Sequence, residues 1–463
     1  MNFISPLARL RLAIALLAVL AAPATARTLE QKLPNGLRIV VREDARAPTV
    51  VHQVWYRVGS MDEQVGRTGV SHELEHMMFK GTRKFGPGEF SRRISELGGR
   101  ENAFTDRDST VYFQQVPRGG LTLAMQLEAD RMHNLLLPPK EYAKEIRVVM
   151  EERRLRTEDN PRSLVEENLM ASAFFAHSYG WPVVGWMGDL QNLGVQDVRD
   201  WYRRWYAPDN AVVVIVGDVD AARTMEEARR IYGSVPARTL AARRALAEPP
   251  QRGLRRVEVK APAEQSYLLM GYKVPTLLSA EHDWEPYALE VLATVLAGYD
   301  AARLNQTLVR ERRLAHEISA SYEGITRGPG MLYVDGVPAG EAAALEAALR
   351  EQIGALSKAA IPAEELERAK AQVVAREVYA RDSLFRQAME MGQFEAAGRS
   401  WREVEQVPQR LRAVTADQVQ QVAARYLNDD RLTVGVLLPQ PIGARRPSPG
   451  GARREPPPEG GAR

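Results

Sequence analysis

The 463-residue sequence contains no cysteine. Disulfide bonds, a lipid-modified cysteine and every metal site built on thiolates are therefore excluded, so that a metal would have to be bound by histidine and carboxylate side chains. The formal net charge is only +3, and the short basic tracts lack interleaved aromatic residues. This distribution is typical of a solvated surface and indicates no nucleic-acid partner.

Long hydrophobic runs are also scarce. An apolar content of 45% with 26% charged residues is typical of a globular protein, and the length suits two domains. The apolar run at residues 12–23 is too short to cross a bilayer comfortably, follows two arginines and precedes the small residues 24–26. This pattern predicts a signal peptide over residues 1–26 and export to a Gram-negative periplasm, with no stable membrane anchor after cleavage.

Two segments of the chain are similar to each other without a gap, residues 195–219 and residues 415–439. Asp197 aligns with Asp417, and both segments have the pattern of an amphipathic helix, a polar turn and an apolar β-branched strand. Their equal positions near the end of each half indicate an internal duplication.

The domain boundaries are predicted from this repeat. We expect a first domain over residues 27–238, a polar, proline-broken linker over 239–254 and a homologous second domain over 255–440. Residues 441–463 are rich in proline, glycine and arginine and are predicted to be a disordered tail. Strands alternate with long helical stretches such as residues 362–391, which predicts an α+β fold of two related α/β domains whose mixed sheets are covered by helices.

The segment His72-Glu73-Leu74-Glu75-His76 fits two zinc-peptidase patterns at once. As H-E-x-x-H it makes Glu73 the general base, and as the inverted H-x-x-E-H it makes Glu75 the base. In a helix over residues 69–80 the two histidines lie one above the other, as two imidazoles must to bind one ion. The buried stripe of this helix is predicted to consist of Val70, Leu74, Met77 and Met78.

The third protein ligand of a catalytic zinc separates the two patterns. Glu96, a short way downstream, is the candidate for H-E-x-x-H. For the inverted pattern the ligand comes later, from Glu145 or Glu152, which lie two helical turns apart on a stripe with Val148 and Val149. Spacing alone does not decide between these glutamates.

Several segments carry a resemblance to a known family. They are LPNGLRIVVRED (33–44), HELEHMMFKGTRKF (72–85), ENAFTDRDSTVYF (101–113), SYGWPVVGW (178–186) and APDNAVVVIVGDVD (207–220). In this order they resemble the pitrilysin/insulinase family of inverted-motif zinc peptidases, in particular its mitochondrial-processing-peptidase-like branch. The resemblance covers nearly all of the mature chain.

The resemblance implies one Zn²⁺ per chain, bound by His72, His76 and Glu152. It also implies that Glu75 is the general base and that Glu145 supports a ligand from outside the coordination sphere. Glu73 becomes a flanking carboxylate and Glu96 an ordinary helix residue. In the segment after the metal helix, Asn102, Ala103 and Phe104 are expected to bind substrate as an added strand, with structural packing as the alternative for Phe104.

The second half departs from the family pattern. The family often supplies an arginine and a tyrosine there, in a run resembling L-R-x-x-x-G-L-A-Y, to stabilise the oxyanion. The run LVRERRLAHEISASY (308–322) offers Arg310, but it is one residue short and has His316 in place of the tyrosine. His316 or Tyr322 could donate the hydrogen bond, or neither acts. We therefore expect either a homodimer or a heterodimer with a zinc-less homologue that supplies the pair.

The function implied by the resemblance is a zinc-dependent endopeptidase. It would hydrolyse peptides or unfolded segments in a chamber enclosed by two clamshell halves, of which this chain is one. Two alternatives stay open at this point. One is an H-E-x-x-H peptidase that uses Glu73 and Glu96, and the other is a zinc-holding subunit or scaffold of a heteromeric complex with little activity alone.

Overall fold

The computed structural model describes residues 27–238, 240, 243 and 246–442. The predicted signal peptide lies outside these residues, as does the predicted tail beyond residue 442. Residues 246–254, the continuous described part of the predicted linker, form neither helix nor strand.

A six-stranded mixed sheet forms the centre of the first half. Its strands are β1 (Thr28–Lys32), β2 (Arg38–Glu43), β3 (Thr49–Tyr56), β4 (Arg100–Thr105), β5 (Thr110–Pro117) and β6 (Ala211–Gly217). They lie in the order β1-β2-β6-β3-β5-β4, and only β2 and β6 are parallel neighbours. This order places β4 at an open edge of the sheet.

Eight α-helices belong to this half of the described chain. They are α1 (Val70–Met77), α2 (Glu89–Glu96), α3 (Leu121–Asn134), α4 (Pro139–Arg153), α5 (Pro161–Ala173), α6 (Met187–Asn192), α7 (Val195–Trp205) and α8 (Ala221–Tyr232). A π-helical turn, Arg154–Glu158, extends α4, and short 3₁₀ turns cover Ser60–Asp62, Arg118–Gly120, Ser178–Gly180 and Pro208–Asn210. Helices α1, α3, α7 and α8 pack their apolar sides on one face of the sheet.

The second half has a five-stranded sheet. Its strands are β7 (Arg255–Pro262), β8 (Tyr267–Val274), β9 (Ala315–Glu323), β10 (Gly330–Pro338) and β11 (Leu432–Gln440), in the order β7-β11-β8-β10-β9. Its helices are α9 (Glu285–Ala297), α10 (Ala342–Lys358), α11 (Ala363–Ala380), α12 (Leu384–Ala396), α13 (Val407–Ala413) and α14 (Ala416–Tyr426). A π-helical segment, Asn305–Glu311, precedes β9, and a 3₁₀ turn covers Trp401–Gln406.

The two similar sequence segments have the same structure and the same place. Helix α7 leads into β6, and helix α14 leads into β11. Each of these strands has one parallel neighbour, β2 or β7, and one antiparallel neighbour, β3 or β8. The predicted α+β fold of two related domains is therefore confirmed. One detail was wrong: residues 362–391 are not one helix, because the chain turns at residues 381–383 between α11 and α12.

The two halves exchange helices. Helix α5, from the first half, packs Val165, Leu169 and Met170 on the second sheet, against Leu269 and Leu437. Helix α12, from the second half, packs on the open face of the first sheet. Each sheet therefore has one face covered by the other half of the chain, so neither core can be completed alone.

Among residues 27–238, 240, 243 and 246–442, no helix combines the length and the apolar character needed to cross a membrane.

Gly392 controls how closely α12 approaches the first sheet. A Cβ atom at this position would overlap the indole ring of Trp55, which is buried in the sheet. We expect Gly392→Ala to lower the free energy of unfolding by about 1–3 kcal/mol, the usual cost of overpacking. Gly354→Ala is the matched control on α10, because no heavy atom lies near its Cβ position. It should leave stability unchanged or raise it by up to about 1 kcal/mol. Equal denaturant midpoints for Gly392→Ala and the wild type would contradict this account.

Candidate active site

Helix α1 starts in a conformation that needs glycine. Gly69, the residue before it, has φ of +87° and no room for a Cβ atom against the Val184 carbonyl. The carboxylate of Glu63 accepts the backbone N–H groups of Gly69 and Ser71, both at 2.8 Å. An acceptor bound to the first amides of a helix satisfies donors that have no partner within the helix, so Glu63 holds α1 in place.

The two sides of α1 have different environments. Val70, Leu74, Met77 and Met78 are all buried, as predicted, and pack in the core of the first sheet. His72 and His76 lie on the other side with their ring centroids 4.7 Å apart. A short helix thus places two imidazoles side by side because its opposite side is anchored in the core.

Glu152 approaches both histidines from α4. Its Oε2 lies 3.3 Å from His76 Nε2, and its Oε1 lies 3.8 Å from His72 Nε2. One ligand atom from each of the three residues falls within 4.8 Å of the others, so they could hold one metal ion. Two imidazole nitrogens and a carboxylate oxygen are the kind of donor set that a catalytic zinc uses, and the site therefore fits zinc.

Glu145 lies one layer further out on α4. Its Oε1 is 3.1 Å from Nδ1 of His76, and its Oε2 is 2.6 Å from Nζ of Lys80. A carboxylate on the second ring nitrogen fixes the tautomer and orientation of the imidazole. The predicted stripe of α4 is only partly apolar in the structure, since Val149 is buried but Val148 is 49% exposed.

The charge states of the two histidines differ. Burial and the neighbouring His76 lower the pKa of His72 to about 4, which keeps its ring neutral. Burial also acts to lower the pKa of His76, but hydrogen bonds with Glu152 and Glu145 outweigh it and raise the pKa to about 8. Metal binding therefore has to displace a proton from His76 near neutral pH.

Glu75 and Glu73 occupy different surroundings. Thr105, the last residue of β4, donates a hydrogen bond of 2.6 Å to Oε2 of Glu75. Glu75 shares the side of α1 that carries the histidines, and burial raises its pKa. Glu73 is fully buried, and neither of its oxygens has a hydrogen-bond partner among the described residues. Burial raises the pKa of Glu73 to about 8, so it carries a proton at neutral pH.

Glu96 is not part of this group. Its side chain at the end of α2 is 58% exposed and pairs with Arg92 one turn earlier. The geometry therefore places Glu152, and not Glu96, beside the two histidines.

Strand β4 carries the residues predicted to bind substrate. Ala103 points to the core beneath α1, and its backbone N–H donates to Oδ1 of Asn102 at 2.9 Å. Phe104 points to the opposite face, where its ring packs edge-on against Trp55. The Phe104 side chain is therefore part of the packing under α12, and only its backbone lies along the open edge.

The three residues of the second half that were predicted to stabilise the oxyanion lie apart from the metal-capable group. Arg310 and His316 are exposed. The hydroxyl of Tyr322 donates to the Pro275 carbonyl at 2.6 Å, within its own half. Within the described part of the chain, no hydrogen bond or ion pair joins any of the three to the zinc-type site.

Sequence reasoning missed several residues that shape the site. Glu63, Lys80 and Thr105 were not singled out, although Thr105 directly follows the predicted substrate segment. Arg156, one turn after Glu152, pairs with its Oε1 at 2.7 Å. Lys80 and Thr105 acquire their roles through contacts that are distant in sequence, which no local pattern marks. Glu63 and Arg156 make contacts within eight residues, at the start of α1 and at the end of α4.

Comparisons with known proteins identify the family of this chain. Residues 38–185 match the family profile described as Insulinase (Peptidase family M16), and residues 192–373 match that described as Peptidase M16 inactive domain. The zinc protease PqqE of Helicobacter pylori is 31% identical over 343 residues, which are 73% of this chain and 76% of that protein. The uncharacterized zinc protease YmxG of Bacillus subtilis is 28% identical over 397 residues, 86% and 95% of the two chains. The chain therefore belongs to the pitrilysin/insulinase family of zinc peptidases.

Solved structures show the same architecture. The crystal structure of a protease from Helicobacter pylori has a TM-score of 0.84 at 27% identity and covers 90% of this chain and 100% of that one. The periplasmic protease PqqL from Escherichia coli has a TM-score of 0.77 at 19% identity, which shows a shared fold. It covers 91% of this chain but 48% of PqqL, so the fold of this chain corresponds to about half of that longer protein.

The metal assignment can be tested by zinc analysis of the purified mature protein. Substituting alanine for His72, His76 or Glu152 should remove zinc, because each contributes one atom to a compact three-donor group. Glu96→Ala is the matched control and should keep the wild-type zinc content. Full zinc in Glu152→Ala together with loss in Glu96→Ala would assign the ligand to the other glutamate.

Proposed function

We propose that this protein is a zinc-dependent endopeptidase of the exported, periplasmic type. The observation that carries the proposal is the cluster of His72, His76 and Glu152 beside Glu75, next to an open sheet edge. The naming of its relatives as zinc proteases supports the same conclusion.

The three donors would bind one Zn²⁺ per chain. When bound, zinc supplies a Lewis acid that makes water nucleophilic near neutral pH and polarises the scissile carbonyl. Glu145 orients His76 through its Nδ1 atom, and Lys80 fixes the far oxygen of Glu145. The protein thereby holds the ligands in their geometry before substrate arrives.

Glu75 is the proposed general base. It takes a proton from the attacking water and returns it to the leaving amine, a role that requires a carboxylate close to the metal ligands. The contact with Thr105 places one of its oxygens against β4. Glu73 is a poor candidate for this role, because burial raises its pKa to about 8 and neither of its oxygens has a polar partner among the described residues.

Substrate is proposed to bind along β4 as an additional strand. The edge offers backbone groups of Asn102, Ala103 and Phe104, which recognise an extended peptide with little demand on its sequence. The Ala103 N–H is free for a substrate carbonyl once the Asn102 side chain turns away. Extended peptides and unfolded segments are therefore the expected substrate class.

Glu75→Gln should abolish peptide hydrolysis while zinc is retained. Loss of the general base typically costs about a hundredfold to ten-thousandfold in rate. Glu73→Gln is the control and should keep most of the activity, since a buried protonated carboxyl and an amide have nearly the same shape and charge. Hydrolysis of a fluorogenic peptide by the mature chain, with and without a chelator, measures both variants. If Glu73→Gln is the inactive variant, the inverted assignment is wrong.

The oxyanion donors are proposed to come from a second chain. His316 replaces the tyrosine of the family pattern, and the exposed Arg310 has no contact with the described zinc-site residues. A missing oxyanion donor costs on the order of a hundredfold or more in rate. The isolated chain should therefore hydrolyse peptides weakly, as a homodimer or a monomer, and a zinc-less homologue should increase the rate steeply.

The two-chain arrangement makes a specific prediction for that homologue. Substitution of its arginine or tyrosine should remove the gain, whereas Arg310→Ala and His316→Ala in this chain should have little effect. Strong hydrolysis by the pure homodimer that is lost in Arg310→Ala or His316→Ala would show instead that this chain supplies its own donors.

A further inference from the structure

Arg327 connects the second half of the chain to two segments next to the candidate active site, the one before α1 and the β4–β5 turn. It lies in the turn between β9 and β10, and its side chain is only 10% exposed. Its guanidinium binds both carboxylate oxygens of Asp62, at 2.9 and 3.1 Å. The same guanidinium donates to the backbone carbonyl of Asp108 at 2.7 Å, and the Arg327 backbone N–H donates to Oδ2 of Asp108 at 3.0 Å. Paired hydrogen bonds of this kind fix both distance and orientation.

The contact with Asp62 leads to the metal helix. Asp62 ends the 3₁₀ turn and is followed by Glu63, the residue whose carboxylate accepts the first amides of α1. Fixing Asp62 therefore also fixes the backbone that carries Glu63. Arg243 donates to Asp62 as well, but among the described contacts only Arg327 reaches both Asp62 and Asp108.

The contact with Asp108 leads to the general base. Asp108 lies in the β4–β5 turn, which starts directly after Thr105, the donor to Glu75. The hydroxyl of Tyr179 also donates to Asp108 and accepts the backbone N–H of Gly328. The turn is thus attached to the second half at Asp108, which is three positions after Thr105, the last residue of β4.

The segment before α1 and the β4–β5 turn also contact each other directly. The backbone N–H of Ser60 donates to the Asp106 carbonyl at 3.1 Å, and that of Met61 donates to the Arg107 carbonyl at 2.9 Å. Arg327 therefore closes a ring of contacts through residues 60–62 and 106–108. This ring adjoins Glu63, which binds the start of α1, and Thr105, the end of β4. These are the two elements between which Glu75 and Thr105 meet.

We propose that Arg327 is a positioning residue for Glu75, acting through the β4–β5 turn and Thr105. The inference rests on the proposed peptidase function. The second half of the chain, which contributes no ligand to the metal-capable group, then sets the distance between the substrate-binding edge and the base. Displacement of a catalytic group by about 1 Å can cost on the order of a hundredfold in rate.

A double-mutant cycle tests whether Arg327 acts through Thr105. In the full mature chain, loaded with zinc, Arg327→Gln and Thr105→Val should each lower kcat by about tenfold to a hundredfold, with zinc content and KM nearly unchanged. The double variant should be no slower than the slower single variant, because both changes release the same restraint on the position of Glu75. Thr105→Ser keeps the hydroxyl and should restore most of kcat. Arg410→Gln removes an exposed ion pair with Asp283 in the same half and should behave as the wild type.

Hydrogen exchange gives a readout that does not depend on activity. In Arg327→Gln, amides of residues 69–77 and 100–110 should exchange faster than in the wild type, while those of the second sheet, residues 255–274, should not change. If Arg327→Gln does not fold, the same measurement is made on Arg327→Lys. Lysine keeps the positive charge but cannot form the two parallel hydrogen bonds to Asp62. Unchanged exchange in both segments, or kcat losses that multiply in the double variant, would overturn the inference.

Different results would refute the peptidase function and the positioning role of Arg327. A wild-type chain that hydrolyses no peptide in the presence of zinc, with or without the homologue, refutes the proposed function and the inference with it. An active wild type whose kcat is unaffected by Arg327→Gln refutes only the inference.

Discussion

The anchoring of one short helix in the core of the first sheet is the constraint on which the site depends. Helix α1 has two turns, too few to be stable alone, so its position is set by what it buries and by how its ends are held. Val70, Leu74 and Met77 fix its rotation in the core, and Glu63 fixes its first turn. With rotation and start fixed, the histidines can only face α4. A zinc-type group then forms where Glu152 lies opposite them.

Within the described residues, the metal-capable group lies in one half of the duplicated fold only. Helix α9 packs against α14 in the second half as α1 packs against α7 in the first. Nearly every residue of α9 is buried, and its sequence contains no histidine. The same place in the fold therefore serves packing in one half and ligand presentation in the other. Helix α5 packs on the second sheet and helix α12 packs on the first, so each half contacts the core of the other. Through these contacts the second half can affect the geometry of the first.

Both glutamates of the motif are buried, and their polar contacts separate them more clearly than spacing does. Glu73 and Glu75 are two residues apart, which on a helix turns their side chains to different sides. Glu73 has no polar partner among the described residues, whereas Glu75 accepts a hydrogen bond from the hydroxyl of Thr105 at the end of β4. A carboxylate that exchanges protons with water needs polar surroundings such as those of Glu75.

Local pattern alone determined a large part of this structure. The histidine pair at i and i+4, the buried stripe of α1 and the repeated helix–strand unit all follow from periodicities that neighbouring residues impose. The family resemblance also named Glu152 as the third ligand, which spacing could not do. Only the tertiary structure decided how close Glu152 lies to the histidines, which motif glutamate has a polar partner among the described residues, and that Phe104 packs against Trp55. The contacts of Arg327 and Thr105 likewise join residues far apart in the chain, and no local periodicity encodes the distance between such residues, because packing of separate elements sets it.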